Sequence, residues 1–230
     1  MKGINVIGDI HGRTNWKELI DLTCINIFVG DYFDPYDNIL YPELESNFLD
    51  IIELKKQYPE NIILLIGNHD AHYLPGYPKG ESSRYNQTQA SKITQLFIDN
   101  YEYFYGVVYY DSPTDSIISH AGISMVWYHI YFTTDTPSGR TVEQNINNLW
   151  NTNKKAFSFN ANATPGDYYG TSKTHSPLWI RPYSLLDNNL FSTTTQIIGH
   201  TQVYEIIESK NIICVDILGK QTKSYKKFYV

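Results

Sequence analysis

Short apolar runs that end in glycine recur along this chain. Residues 2–7 (KGINVI) end at Gly8, Ile25 to Val29 at Gly30, and Asn61 to Ile66 at Gly67. Runs of this length, rich in β-branched residues and closed by a turn residue, read as buried strands. Between them lie two helical patterns. Asn15 to Leu22 has Asn15 and Glu18 at capping-box spacing. Pro42 to Tyr58 places Leu44, Phe48, Leu49, Ile51, Ile52 and Leu54 mostly at helical intervals. Alternating strands and helices predict βαβ units with parallel pairing. Residues 71–87 hold Pro75, Gly76, Pro78 and Gly80 and read as a loop and candidate lid. A helix is expected over Ala90 to Asn100, then strands near Gly106 to Tyr110 and Asp115 to Ser119. Residues 131–176 are polar and irregular, with a helix only around Val142 to Ala156. Strands return at Thr195 to Ile198, Glu205 to Ser209, Ile212 to Asp216 and Ser224 to Tyr229. The reading is one domain over 1–230 with an irregular insertion at about 131–176.

Composition narrows the class. The chain has 230 residues, 42% hydrophobic and 18% charged, which suits a folded globular protein. A formal net charge of -6 gives no general attraction to nucleic acid or anionic membranes. Cys24 and Cys214 sit in or beside aliphatic runs and read as small buried hydrophobes. Without Cys-x-x-Cys, neither a zinc knuckle nor a disulfide framework is expected. No apolar run approaches the roughly 18 residues of a membrane span, and the N-terminus lacks a signal pattern. A cytoplasmic setting is the expectation.

The chemistry lies at the strand ends. "VIGDIHG" offers Asp9 and His11, "FVGDYFD" offers Asp31 and Asp34, and "LIGNHD" offers Asn68, His69 and Asp70. "IISHAG" adds His120 and "IIGHTQ" adds His200. Ligands of parallel sheets bind outside the carboxyl ends of strands, so these clusters can converge. Carboxylates, imidazoles and one amide suit divalent transition metals, and the lack of thiolates argues against a closed structural zinc site. Asp9, His11, Asp31, Asn68, His120 and His200 are too many for one catalytic ion, but fit two that share a carboxylate. Two metals about 3.5–4 Å apart suit phosphoester hydrolysis.

The ordered motifs GD-x-HG, GD-x-x-D, GNHD, HAG and GHT resemble the calcineurin-like metallophosphoesterase superfamily. The variants are most similar to its phosphoprotein phosphatase branch, which includes bacterial and phage serine/threonine phosphatases and diadenosine tetraphosphatase relatives. The resemblance spans residues 8–202. It implies an α/β fold of four αββα layers, a central β-sandwich flanked by helices. It implies that Asp9 and His11 hold one metal, that Asp31 bridges, and that Asn68, His120 and His200 hold the second. A metal-bridging hydroxide would attack phosphorus. His69 would protonate the leaving alkoxide and Asp34 would orient it, a pairing expected to keep the imidazole charged near neutral pH. The ions would be two divalent metals, manganese first, with iron and zinc also suited.

In "SPLWIRP", Arg181 matches a Trp-x-Arg that contacts substrate phosphate in the bacterial phosphatases. Two features depart from the family pattern. Asp34 is followed by Pro35 and Tyr36 where the branch carries Arg-Gly, and Asp70 stands where Glu is usual. Arg84 or Lys79 are candidates to replace the missing arginine. Asp70 reads as structural, bonding loop amides. His72 reads as a substrate or supporting contact, or equally as a loop residue without a role. His129 and His175 read as packing or surface residues, and the lysine-bearing C-terminus as an edge strand.

The expected activity is hydrolysis of phosphorylated proteins or peptides, or of small phosphoesters. A dinucleoside polyphosphate or nucleotide hydrolase is the alternative, with Tyr73, Tyr77 or Tyr85 stacking an adenine. A non-catalytic phosphate-binding scaffold is the alternative of another class, and a nuclease is disfavoured by the charge.

Overall fold

The computed structural model describes residues 3–82, 84–133 and 137–229. Lys2 of the first expected strand, Ser83 of the 71–87 stretch and residues 134–136 of the insertion lie outside the described residues. The strands are β1 (Ile4–Ile7), β2 (Ile25–Phe28), β3 (Ile62–Leu64), β4 (Val108–Asp111), β5 (Ser116–Ser119), β6 (Thr195–Ile198), β7 (Ile207–Ser209), β8 (Ile212–Cys214) and β9 (Tyr225–Lys227). The helices are α1 (Tyr41–Gln57), α2 (Asn68–Ala71), α3 (Ala90–Asp99), α4 (Met125–Tyr131), α5 (Gly139–Thr152) and α6 (Pro182–Leu186).

Two mixed sheets form. One has the order β3-β2-β1-β9 and the other β4-β5-β6-β8-β7. β1, β2 and β3 run parallel, as do β5, β6 and β8. The outer strands β9, β4 and β7 are antiparallel to their neighbours. Because side chains alternate along a strand, each central strand feeds two apolar layers. Ile4, Val6, Ile27, Val29 and Ile63 of the first sheet meet Ile118, Ile197, Ile213 and Val215 of the second, and this is the sandwich core. The opposite face of the first sheet, with Ile7, Phe28, Ile62 and Leu64, lies against Leu44, Phe48, Ile51 and Ile52 of α1. The outer face of the second sheet packs Ile198, Ile212 and Cys214 against Leu185 of α6 and Ile180. The four-layer αββα arrangement expected from the motifs is therefore present. Burying a side chain such as Phe48 contributes about 1.5–3 kcal/mol, which is what holds α1 in place.

Local differences have local causes. Asn15 does not cap a helix. Its side chain donates to the Leu218 carbonyl, and residues 15–19 form only a 3-10 turn. The insertion is more regular than expected: α5 starts at Gly139, three residues before the expected helix, capped by the Ser138 side chain accepting from the Thr141 amide. Residues 154–157 tighten into a separate 3-10 turn. α4 and α6 are short helices that sequence periodicity did not indicate. The 71–87 stretch buries Tyr73, Leu74 and Tyr77 in the main core. It reaches the pocket described below through Glu81 and Ser82. Cys24 and Cys214 are buried free thiols, as expected.

Candidate metal centre

Six loops leave the carboxyl ends of β1, β2, β3, β5, β6 and β8 and meet at one edge of the sandwich. They carry Asp9 and His11, Asp31 and Asp34, Asn68 and His69, His120, His200, and Asp216. The first two loops continue the pairing of their strands: the amides of Ile10, His11 and Gly12 donate to the carbonyls of Gly30, Asp31 and Tyr32. His11, Asp31, Asp34 and His200 have φ between 45° and 63°. Left-handed backbone at a non-glycine residue costs about 1–3 kcal/mol and marks sites held by their surroundings. Glycine is required where the loops touch. A Cβ on Gly67 would stand 2.1 Å from Asp31 Oδ1, and one on Gly199 would stand 2.2 Å from Asp9 Oδ1.

The donor set faces inward. His11 Nδ1 is 3.0 Å from the Phe33 carbonyl, His120 Nδ1 is 3.0 Å from the Val29 carbonyl, and His200 Nε2 is 3.1 Å from the Trp179 carbonyl. A carbonyl only accepts, so each of those nitrogens carries the proton and the other nitrogen presents a lone pair. These lone pairs converge on other acceptors. His120 Nε2 lies 2.7 Å from Asn68 Oδ1 and 3.2 Å from His200 Nδ1. His11 Nε2 and His120 Nε2 each lie 3.4 Å from Asp31 Oδ2. Ligand atoms of Asp9, Asp31 and His120 fall within 4.8 Å of one another. Acceptors aimed at acceptors inside a protein need a metal ion or a proton between them.

Electrostatics agree with that reading. Burial pushes His120 down to about 3 and holds His11 and His200 well below the ordinary histidine value, so all three are neutral at pH 7, as metal ligands must be. Burial, and then the charge of Asp216, raises Asp9; burial, and then the charge of Asp9, raises Asp31. The chemistry of this donor set therefore fits divalent metal ions.

His69 stands beside this cluster. Its Nδ1 lies 2.9 Å from Asp34 Oδ2 and 2.8 Å from Ser82 Oγ. The pairing with Asp34 is present, but the expectation that it keeps the imidazole charged near neutral pH is not met. Burial of His69 outweighs the carboxylate and holds its pKa below the ordinary value. Burial alone would raise Asp34, and the hydrogen bond from His69 with the close His72 imidazole brings it below the usual range instead. Asp70 accepts from the amides of Asp31 (2.7 Å), Tyr32 (2.8 Å) and Gly67 (2.8 Å), the loop-amide contacts expected of it.

A cavity of about 390 Å³ opens over the cluster. Its floor includes Asp9, His11, Asp31, Asn68, His69 and His200, and its wall includes Arg181. The Arg181 guanidinium is anchored to the carbonyls of His200 (3.2 Å) and Tyr169 (3.3 Å) and to Thr201 Oγ1 (3.2 Å). Arg84 does not line this cavity. It donates to the Pro35 carbonyl and lies 4.1 Å over the Tyr36 ring. Lys79 is exposed and outside the lining. Tyr73, Tyr77 and Tyr85 do not line the cavity either; Tyr73 and Tyr77 are buried. His175 is buried on Asp167, and His129 is exposed.

Among the lining residues that went unread in the sequence are Asp216 and Tyr36. Asp216, two residues beyond β8, is buried with one carboxylate oxygen free of partners. Its signal was the same as at the other sites, a carboxylate at the end of an apolar run ("IICVDI"). Tyr36 packs edge-on against His11 with ring centres 4.8 Å apart, and nothing in a Pro-Tyr turn announces that.

A two-sheet sandwich with a buried carboxylate–imidazole–amide cluster at its strand ends defines a metal-dependent phosphoesterase. The chain belongs to the calcineurin-like phosphoesterases, whose family model matches residues 3–204. This family works with a dinuclear divalent metal centre. Among solved structures, the fold is similar to a cold-active protein-tyrosine phosphatase of the psychrophile Shewanella sp., with 18% identity, 94% of this chain and 71% of that chain covered, and a TM-score of 0.56. It is also similar to a protein serine/threonine phosphatase from Saccharomyces cerevisiae, with 14% identity, 96% and 70% coverage, and a TM-score of 0.56. Among the described residues, no helix is long and apolar enough to cross a membrane.

Proposed function

We propose that this chain is a single-domain, dinuclear metal-dependent phosphomonoesterase that acts on phosphorylated proteins or peptides of the serine/threonine type. In this reading Asp9, His11 and Asp31 hold one ion, and Asp31, Asn68, His120 and His200 hold the other. Manganese is the first choice, with iron and zinc suited by the same donors. When bound, two divalent ions supply a hydroxide nucleophile at neutral pH and a positive clamp on phosphoryl oxygens.

The chain's own residues do the rest. Arg181 orients a phosphate oxygen from the cavity wall, its guanidinium already braced by backbone carbonyls. Asp34 holds the His69 ring so that Nε2 turns away from Asp34; because burial lowers the His69 pKa, the ring first takes up a proton at Nε2 and then delivers it to the leaving alkoxide. The observation that carries the reading is the convergence of three neutral imidazoles, an amide oxygen and two carboxylates with no hydrogen donor among their inward faces.

The charge inventory favours a single phosphate over a polyphosphate. Among the described residues lining the cavity, Asp9, Asp31, Glu81 and Asp216 face one arginine, Arg181. Two divalent ions bring that set to one net positive charge and the hydroxide they supply brings it to zero, which leaves nothing to balance a chain of further phosphates.

The test is leaving-group dependence. His69→Asn should lose roughly 10²–10⁴-fold on an alkyl phosphate such as a phosphoserine peptide. It should lose far less on p-nitrophenyl phosphate, whose leaving group needs little protonation. Equal losses on both substrates would remove His69 from the acid role.

A further inference from the structure

The Asp34 carboxylate carries more partners than orienting one histidine requires. His69 Nδ1 lies 2.9 Å from Oδ2, and His72 Nε2 lies 2.8 Å from the same oxygen. Tyr73 Oη donates to Oδ1 at 2.6 Å. Tyr73 Oη in turn accepts from the Asn86 amide at 2.9 Å. Two neighbours that do not line the cavity, His72 and Tyr73, thus hold the carboxylate. Asp34 itself has φ 57° and lies in a loop outside any strand or helix, so regular structure does not fix its side chain.

His72 is a poor choice for mere packing. It is fully buried, neither of its ring nitrogens makes a hydrogen bond of good geometry, and its ring sits edge-on against Tyr73 and Tyr85 with centres 4.4 and 4.9 Å apart. An apolar ring would fill that aromatic slot without stranding a polar nitrogen. What the imidazole adds is Nε2 at 2.8 Å from Asp34 Oδ2, a close polar contact that falls short of hydrogen-bond geometry and so fixes position more than it makes a strong bond.

We infer that His72 is a positioning residue for proton delivery: it locks Asp34 so that Oδ2 presents one fixed direction to His69. This rests on the phosphomonoesterase reading above. His72 does not line the cavity and acts only through Asp34 and His69. Removing it frees the carboxylate to rotate and lets the His69 ring drift, and displacements below an ångström are costly at a reacting centre.

The experiment compares His72→Phe and His72→Gln with the wild-type protein, all loaded with manganese. Turnover is measured on a phosphoserine peptide and on p-nitrophenyl phosphate, beside thermal melting and metal stoichiometry. Gln places its Nε2 where the imidazole Nε2 stood. His72→Phe should lose about tenfold more on the peptide than on p-nitrophenyl phosphate, and His72→Gln should regain most of that difference. Equal losses on the two substrates, no loss at all, or Gln no better than Phe would overturn the inference. Should His72→Phe fail to fold, the Gln variant decides alone: a substrate-independent drop in it overturns the inference, and a peptide rate near wild type supports it. A wild-type protein that hydrolyses neither substrate would instead count against the phosphomonoesterase reading.

Discussion

Replacing Asp31 by Asn should stabilise the metal-free protein while removing its response to metal. Asp31 is 1% exposed. Its Oδ1 accepts the His69 amide at 2.9 Å, a bond the Asn side-chain oxygen can keep. Its Oδ2 faces two imidazole lone pairs at 3.4 Å, where an amide NH2 can donate. The substitution is thus nearly isosteric and trades an unpaired acceptor for a donor. It also removes one of two buried like charges. With the Asp9 and Asp31 ligand atoms within 4.8 Å, two unit charges repel by about 3 kcal/mol at an effective dielectric near 20. For a chain of this size, that relief corresponds to a rise in melting temperature of about 6–12 °C. The assay is thermal unfolding of both proteins in chelator and in excess manganese. Wild type should melt low in chelator and rise with metal; Asp31→Asn should melt high in chelator and rise little. A variant less stable than wild type in chelator, or one stabilised by manganese as strongly as wild type, would refute the reasoning.

Two further outcomes follow from the same geometry. Asp9 and Asp31 have pKa values above the ordinary carboxylate value, so the free site retains protons at pH values where ordinary carboxylates are ionised, and metal must expel them. Affinity should therefore rise with pH, and calorimetric titration in buffers of different ionisation enthalpy should show proton release that shrinks as pH rises; pH-independent release would contradict it. Gly67→Ala would drive a Cβ to 2.6 Å from the Asp31 amide nitrogen as well as into its carboxylate, so metal affinity, measured by chelator competition, should fall roughly 10–100-fold, and unchanged affinity would show that the two loops can part.

Much of the site was legible because its residues obey one local rule. A buried strand ends, glycine allows a close turn, and the next polar side chain has nowhere to go but the common edge. Asp9, Asp31, Asn68 and His200 each follow a glycine, and their convergence needed only parallel strands. Asp216, like His120, ends its apolar run without a glycine, and it went unread although its strand was expected. Tyr36 and His72 were harder: their neighbours come from loops distant in sequence, and no period reports loop packing. The protonation of His69 depends on how deeply tertiary structure buries it, which motif spacing does not encode. Similarly, α4 and α6 are too short for periodicity, while α1, with its full apolar stripe, was read to within a residue.

In the function proposed above, two divalent ions at this cluster drive phosphoester hydrolysis. Its most direct test is hydrolysis of p-nitrophenyl phosphate by metal-stripped protein, with and without added manganese, beside Asp31→Asn. Activity that appears on adding manganese to wild type and stays absent in the variant is the predicted result. Activity in thoroughly stripped protein, or equal activity in wild type and Asp31→Asn, would contradict it.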